Sequence, residues 1–249
     1  MVSKQSNRML AIARIFGWVA ILLSVIILLV FAAIRLADMT QVARPLAEEI
    51  QKTLGETHAF AVRYIQHPWV TLLHIIPGLL FLTLAPLQFV ARIRKRHISF
   101  HRGLGRILAT CAAITGLFAL VAAFRFPAFG GISTQVATVF FGAIFLFSLA
   151  KAIYHIRRKE VRLHREWMIR TFALAMAVAT IRVSVGLLMN LSGLGFEEVF
   201  GTSFWLGFSV NLLVAEVWIN YTRVRVGRDP RTTSRTKQIS RVTAKRLDG

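Results

Sequence analysis

The sequence predicts an all-α, polytopic membrane protein with six transmembrane helices, and three observations carry that reading. Of 249 residues, 55% are hydrophobic and only 17% charged, whereas soluble domains run near a quarter charged and under half apolar. The apolar residues gather into runs that match the about 20 helical residues needed to cross a hydrocarbon core of ~30 Å. The charges are lopsided, 31 Lys and Arg against 11 Asp and Glu for a net of +20, and they collect between alternate runs. So apolar a chain is no disordered polymer. A single cysteine, Cys111, excludes an intramolecular disulfide framework and a four-cysteine zinc site.

The first run, 15–34, holds no charge. It exceeds the about 7–15 apolar residues of a secretory signal, and Ala32-Ala33-Ile34-Arg35 is a poor cleavage site, so it reads as a retained span. The second, 68–91, holds one titratable residue, His74. The third and fourth are 107–124 and 132–150. The fifth, 171–191, is interrupted by Arg182, and the sixth, 203–222, by Glu216. With the N-terminus inside, the inner segments 1–14, 92–106, 151–170 and 222–249 hold 25 of the 31 basic residues. Asp38, Glu48, Glu49, Glu56, Glu197 and Glu198 fall outside. Short loops rich in Lys and Arg stay cytoplasmic, so both termini are expected on the cytoplasmic side.

Residues 1–222 therefore form one six-helix membrane domain, and 223–249 a basic tail without apolar runs, expected to be disordered and cytoplasmic. Between the first two spans, in the outer segment 37–67, Leu46, Ile50 and Leu54 follow Pro45 at helical spacing. That pattern suits a short amphipathic helix on the outer face, either packed on the bundle or capping a site.

Two inner loops resemble each other. The stretch 92–102, RIRKRHISFHR, aligns without gaps on 155–165, HIRRKEVRLHR. The second–third and fourth–fifth spans then read as two copies of a hairpin, a four-helix core of parallel repeats. His101-Arg102 and His164-Arg165 occupy matching positions at the inner mouth. His101-Arg102 with Gly105, then His164-Arg165 with Trp167-Met168 and Arg170, then Arg182 in the next span, resemble the bacterial domain-of-unknown-function 2306 family of predicted membrane proteins. The similarity covers roughly 65–190, with the first and last helices at or beyond its edge. The resemblance implies a multi-helix inner-membrane protein with no assigned reaction.

Ionisable residues within spans are costly and are candidate functional sites by default. Arg182 lies twelve residues beyond Arg170, roughly 18 Å along the helix and beyond easy snorkelling. Its face carries Ala175, Ala179 and Gly186, small residues that admit a close neighbour helix. His74 lies on the outer half of its span, on a face continuing through Gly78, Ala85 and Gln88. One reading is a ligand pocket of His74, Arg182 and Gln88, where Arg182 holds an anionic or carbonyl-bearing group and His74 exchanges a proton. The other is a structural clasp, with Arg182 donating to carbonyls freed near Pro77. Glu216, near the inner end of the last span, is an intramembrane acid whose expected partner is Arg102, Arg165 or Arg170, or else the interface itself.

Haem iron takes axial ligands on facing helices at one depth. Among the spans only His74 is well inside, so an outer haem lacks a second ligand. A single inner haem b or metal site across His101 and His164 remains, with Arg102 and Arg165 toward the propionates and His97 and His155 as spare ligands. Its rival is that the His-Arg pairs sit among anionic lipid headgroups. No hydrolase or phosphate-loop signature occurs, and Cys111 lies on a small-residue face suited to packing. The leading expectation is a non-enzymatic membrane protein that binds or passes a small polar or anionic species. The alternatives are a single-haem redox protein and a membrane scaffold or assembly factor. Expected partners are the bilayer and its anionic headgroups rather than nucleic acid.

Overall fold

The structure is a computed structural model that describes residues 2–39, 49, 64, 66–126 and 129–227. Among these residues it is all-helical: α1 (Val2–Met39), α2 (Pro68–Phe89), α3 (Ala91–Arg96), α4 (Ile98–Arg125), α5 (Gly131–Arg157), α6 (Val161–Ser192) and α7 (Phe196–Gly227). Six hold stretches long and apolar enough to cross a bilayer: Ile15–Ala37, Pro68–Phe89, Ile98–Arg125, Gly131–Arg157, Val161–Ser192 and Phe196–Arg223. Helices are the form such segments take, because a bilayer core offers no water to unpaired backbone groups.

Most helices outrun the apolar runs that announce them. The flanking Arg and Lys are good helix formers and keep their heads in water while their stems lie along the helix. His101 and His164 thereby fall inside helices, each as the fourth residue of its own, since α4 begins at Ile98 and α6 at Val161. The turns before these helices differ: α3 precedes α4, whereas Lys159, at φ 62°, precedes α6. The amphipathic stretch around Leu46, Ile50 and Leu54, Glu49 aside, and residues 228–249 of the tail lie outside the described residues.

Helix ends follow local chemistry. Pro68 opens α2, where a missing N–H costs nothing. Phe126 closes α4 in extended backbone, φ −87° and ψ 142°, as a residue preceding a proline must. Gly193 closes α6 at φ 69°, its N–H donating to Met189 O at 3.0 Å, a left-handed cap that glycine adopts without Cβ strain.

Successive long helices alternate in direction. One end of the bundle gathers the start of α1, residues 90–97, residues 158–160 and the end of α7; it is called the basic end here, and its opposite the far end. The main buried cluster draws Phe81 and Ala85 from α2, Leu108 and Ala112 from α4, Phe141 and Phe145 from α5, and Phe172, Leu174 and Met176 from α6. Leu28 of α1 joins them. The four central helices are thus the predicted core. The most extensive single contact, however, joins α6 to α7. There a Cβ added at Gly207 would lie 2.4 Å from Ile181 Cγ1 and 3.0 Å from Ile181 N, so glycine alone permits the approach. By contrast α1 is peripheral, with 6% of its most apolar window buried against 39% for α6.

A candidate ligand cavity

All six long helices line one cavity of about 330 Å³ in the far half of the bundle, within the size range of small-molecule pockets. Its walls are mostly aromatic and aliphatic, among them Phe31, Phe81, Phe141, Phe145 and Phe208. Two arginines line it, Arg182 from α6 and Arg35 from α1. The Arg182 guanidinium lies 4.5 Å from the centre of the Phe31 ring, and that of Arg35 lies 4.9 Å from the Tyr64 ring. Faces of aromatic rings attract cations, so α1 helps hold both charges. No carboxylate is among the described lining residues.

His74 lines the same cavity and is tied to α4 by a reciprocal pair. Its Nδ1 donates to Thr115 O at 3.0 Å, and Thr115 Oγ1 donates to His74 O at 3.1 Å. A carbonyl can only accept, so Nδ1 carries the proton and a neutral ring keeps Nε2 as its acceptor. The pair ties α2 to α4 beside Pro77. Hydroxyl and amide groups complete the polar lining. Thr138 Oγ1 donates to Thr134 O at 2.8 Å and Gln135 Nε2 to Ala123 O at 2.9 Å. Thr134 Oγ1 is buried without a hydrogen-bond partner among the described residues.

The structure therefore brings His74 and Arg182 to one cavity and leaves Gln88 out of it. Gln88 is fourteen residues from His74 on α2, about 21 Å along the axis, and it packs at the basic end. There a Cβ added at Gly105 would lie 3.6 Å from Gln88 Oε1. A shared helix face is not a shared depth, and the expectation that grouped Gln88 with His74 is corrected on that ground.

At the basic end, His164 Nδ1 donates to Ala152 O at 2.9 Å. Nearby His101 has a buried Nδ1 without a partner among the described residues. His155 is engaged with Glu160, Nδ1 to Oε2 at 2.5 Å. His97 is exposed at the turn before α4, and Arg102 and Arg165 are exposed. Among the described residues no group of three or more His, Cys, Asp or Glu could hold a metal ion.

Toward the same end lie two ion pairs between α6 and α7. Arg170 forks onto Glu216, Nε to Oε1 at 2.5 Å and the terminal nitrogen to Oε2 at 2.9 Å. Of the three partners expected for Glu216, Arg170 is the one it meets, and Arg170 also lies over the Trp167 ring at 4.5 Å. Arg223 forks onto Glu166, Nε to Oε1 at 2.8 Å with a second bond to Oε2.

Two residues escaped the sequence reading. Glu166, 5% exposed, hid among basic neighbours; its position four residues after Arg162, on the inward side of α6, is the signal that could have found it. Arg35, 3% exposed, was counted as the first residue outside its span. Its face continues through Phe31, Ala32 and Leu28, apolar residues that line the cavity with it.

No curated protein and no solved structure gives a significant match to the chain. Residues 71–219 match a family described as "Predicted membrane protein (DUF2306)". The match reaches well into α7, which lies inside the family region rather than at its edge, and leaves α1 with Arg35 outside. With His74, His101, His164, Arg182 and Glu216 all inside the matched stretch, the chain belongs to the DUF2306 family of membrane proteins.

Proposed function

We propose that this protein binds or passes a small polar or anionic species at the cavity lined by His74, Arg35 and Arg182. One observation carries the reading: two arginines from helices far apart in sequence line the same mostly apolar cavity. Guanidinium forks recognise carboxylate and phosphate geometry, and their hydrogen bonds to anions strengthen in a low-dielectric setting. The protonated Nδ1 of His74 leaves its second nitrogen for exchange with a bound group. The test is thermal unfolding of the detergent-solubilised protein with acetate or inorganic phosphate at constant ionic strength. Anion bound at a hundred times its Kd stabilises by about 2.7 kcal/mol, and Arg182→Gln abolishes that gain while still folding. Equal stabilisation of wild type and variant would sink the proposal.

The basic end faces the cytoplasm of a bacterial inner membrane in this reading, with its arginines against anionic headgroups. The support is that segments 1–14, 92–106, 151–170 and 222–249, which the charge pattern groups on one side, hold 25 of the 31 basic residues. Labelling of a Ser99→Cys variant in a Cys111→Ser background from the cytoplasmic side alone is the expected result; labelling from the periplasm reverses the orientation.

A second reading, one haem across His101 and His164, has a specific observation in its favour. The His164 Nδ1 bond to Ala152 O is the outer-shell contact that orients a ligating imidazole. His101 has no such contact among the described residues, so the support for this reading comes from His164. A Soret band in protein purified after haem-replete expression, lost in His164→Ala, supports this reading, and its absence removes it.

A further inference from the structure

The cavity is polar at one end and apolar at the other. Counted from the far-end termini of their helices, Arg35, His74, Thr134 and Arg182 all lie within ten residues, about 15 Å. Beyond that depth the lining is aliphatic and aromatic: Leu28, Phe81, Phe145, Leu174, Ala175 and Phe208. A small hydrated anion gains nothing from such a floor, since leaving water for an apolar wall costs it free energy. A molecule with an anionic head and a hydrocarbon body satisfies both ends at once. From this gradient, and resting on the ligand reading above, we propose that the natural occupant is a single-chain anionic amphiphile. Its head meets Arg182 and Arg35, and its chain runs toward Phe145 and Leu174. Thr134 Oγ1, buried beside the head region without a partner among the described residues, donates a further hydrogen bond to it. The volume, at the small end of ligand pockets, suits one chain rather than two.

Electron spin resonance of the full chain in a neutral detergent with 16-doxyl-stearate tests the assignment, because the label sits at the chain end and reports on the floor. The expected result is a motionally restricted component in wild type. Arg182→Gln weakens its binding by about tenfold or more, as loss of a charged hydrogen bond does. Ala175→Leu, or the milder Ala175→Val, reduces the component by filling the floor, while acetate still stabilises both variants. Equal restriction of a doxyl-labelled quaternary ammonium amphiphile overturns the inference, because charge is then not read. If stearate is unrestricted while acetate stabilises wild type but not Arg182→Gln, the cavity takes a small anion, and the amphiphile falls alone. If neither probe binds, both readings fall.

Discussion

Arginine is used in two ways at the two ends of this bundle. Toward the basic end, Arg170 and Arg223 of α6 and α7 grip Glu216 and Glu166 with paired hydrogen bonds. Toward the far end, Arg182 and Arg35 lie over the rings of Phe31 and Tyr64 and line a cavity. A carboxylate fork takes up two of the guanidinium's five N–H donors and locks two helices in register. A ring face stabilises the charge from one side, and both of these guanidinium groups stand at the wall of a cavity. The difference teaches that the first set belongs to the architecture and the second to the site.

The sharpest way to break this comparison is Arg223→Ala, which leaves Glu166 ionised and buried. Breaking such a pair costs about 3–5 kcal/mol, and Arg223 is itself 41% exposed, so a loss near the lower figure is expected in thermal unfolding. A melt unchanged within error would show the pair to be ornamental. Next is the pair Arg170–Glu216. Arg170→Met alone costs about 2 kcal/mol by stranding the carboxylate, and adding Glu216→Leu recovers most of it, since apolar replacement of a whole buried pair is near neutral. Additive losses in that cycle would mean that the two side chains act separately. Arg182→Gln, by contrast, costs only about 1 kcal/mol, the value of a partly desolvated cation–ring contact, while removing ligand response. A loss as large as that of Arg223→Ala would move Arg182 into the architecture. The smallest effect belongs to Thr115→Val. It removes the donor to His74 O and costs about 0.6 kcal/mol, typical of interhelical hydrogen bonds in membranes. Its value lies in whether the His74 ring, followed by NMR, keeps its Nδ1 proton.

Hydropathy runs and the charges between them are local properties, and they foretold the six spans with little error. They could not place the helix ends beyond the apolar runs, because Arg and Lys prolong a helix as readily as they flank one. Depth was legible for Arg182, which has no interface within reach. It was misjudged for Arg35, where a residue at the edge of an apolar run looks solvated until Tyr64 and the neighbouring helices close over it. Glu216 could be assigned a short roll of partners from its depth, yet only the α6–α7 packing, set by Gly207 against Ile181, selected Arg170.

The sequence by itself thus determined how many times the chain crosses a bilayer, which segments share the basic end, and that His74 and Arg182 lie within spans. The tertiary structure alone decided that Arg35 and Arg182 line one cavity, that His74 lines it and Gln88 does not, and that Glu166 has a partner. The reason is physical. Burial in a bilayer is a free energy summed along one helix, and the residues of that helix report it. Company is decided by rotations and depths of helices relative to one another, which no single helix encodes.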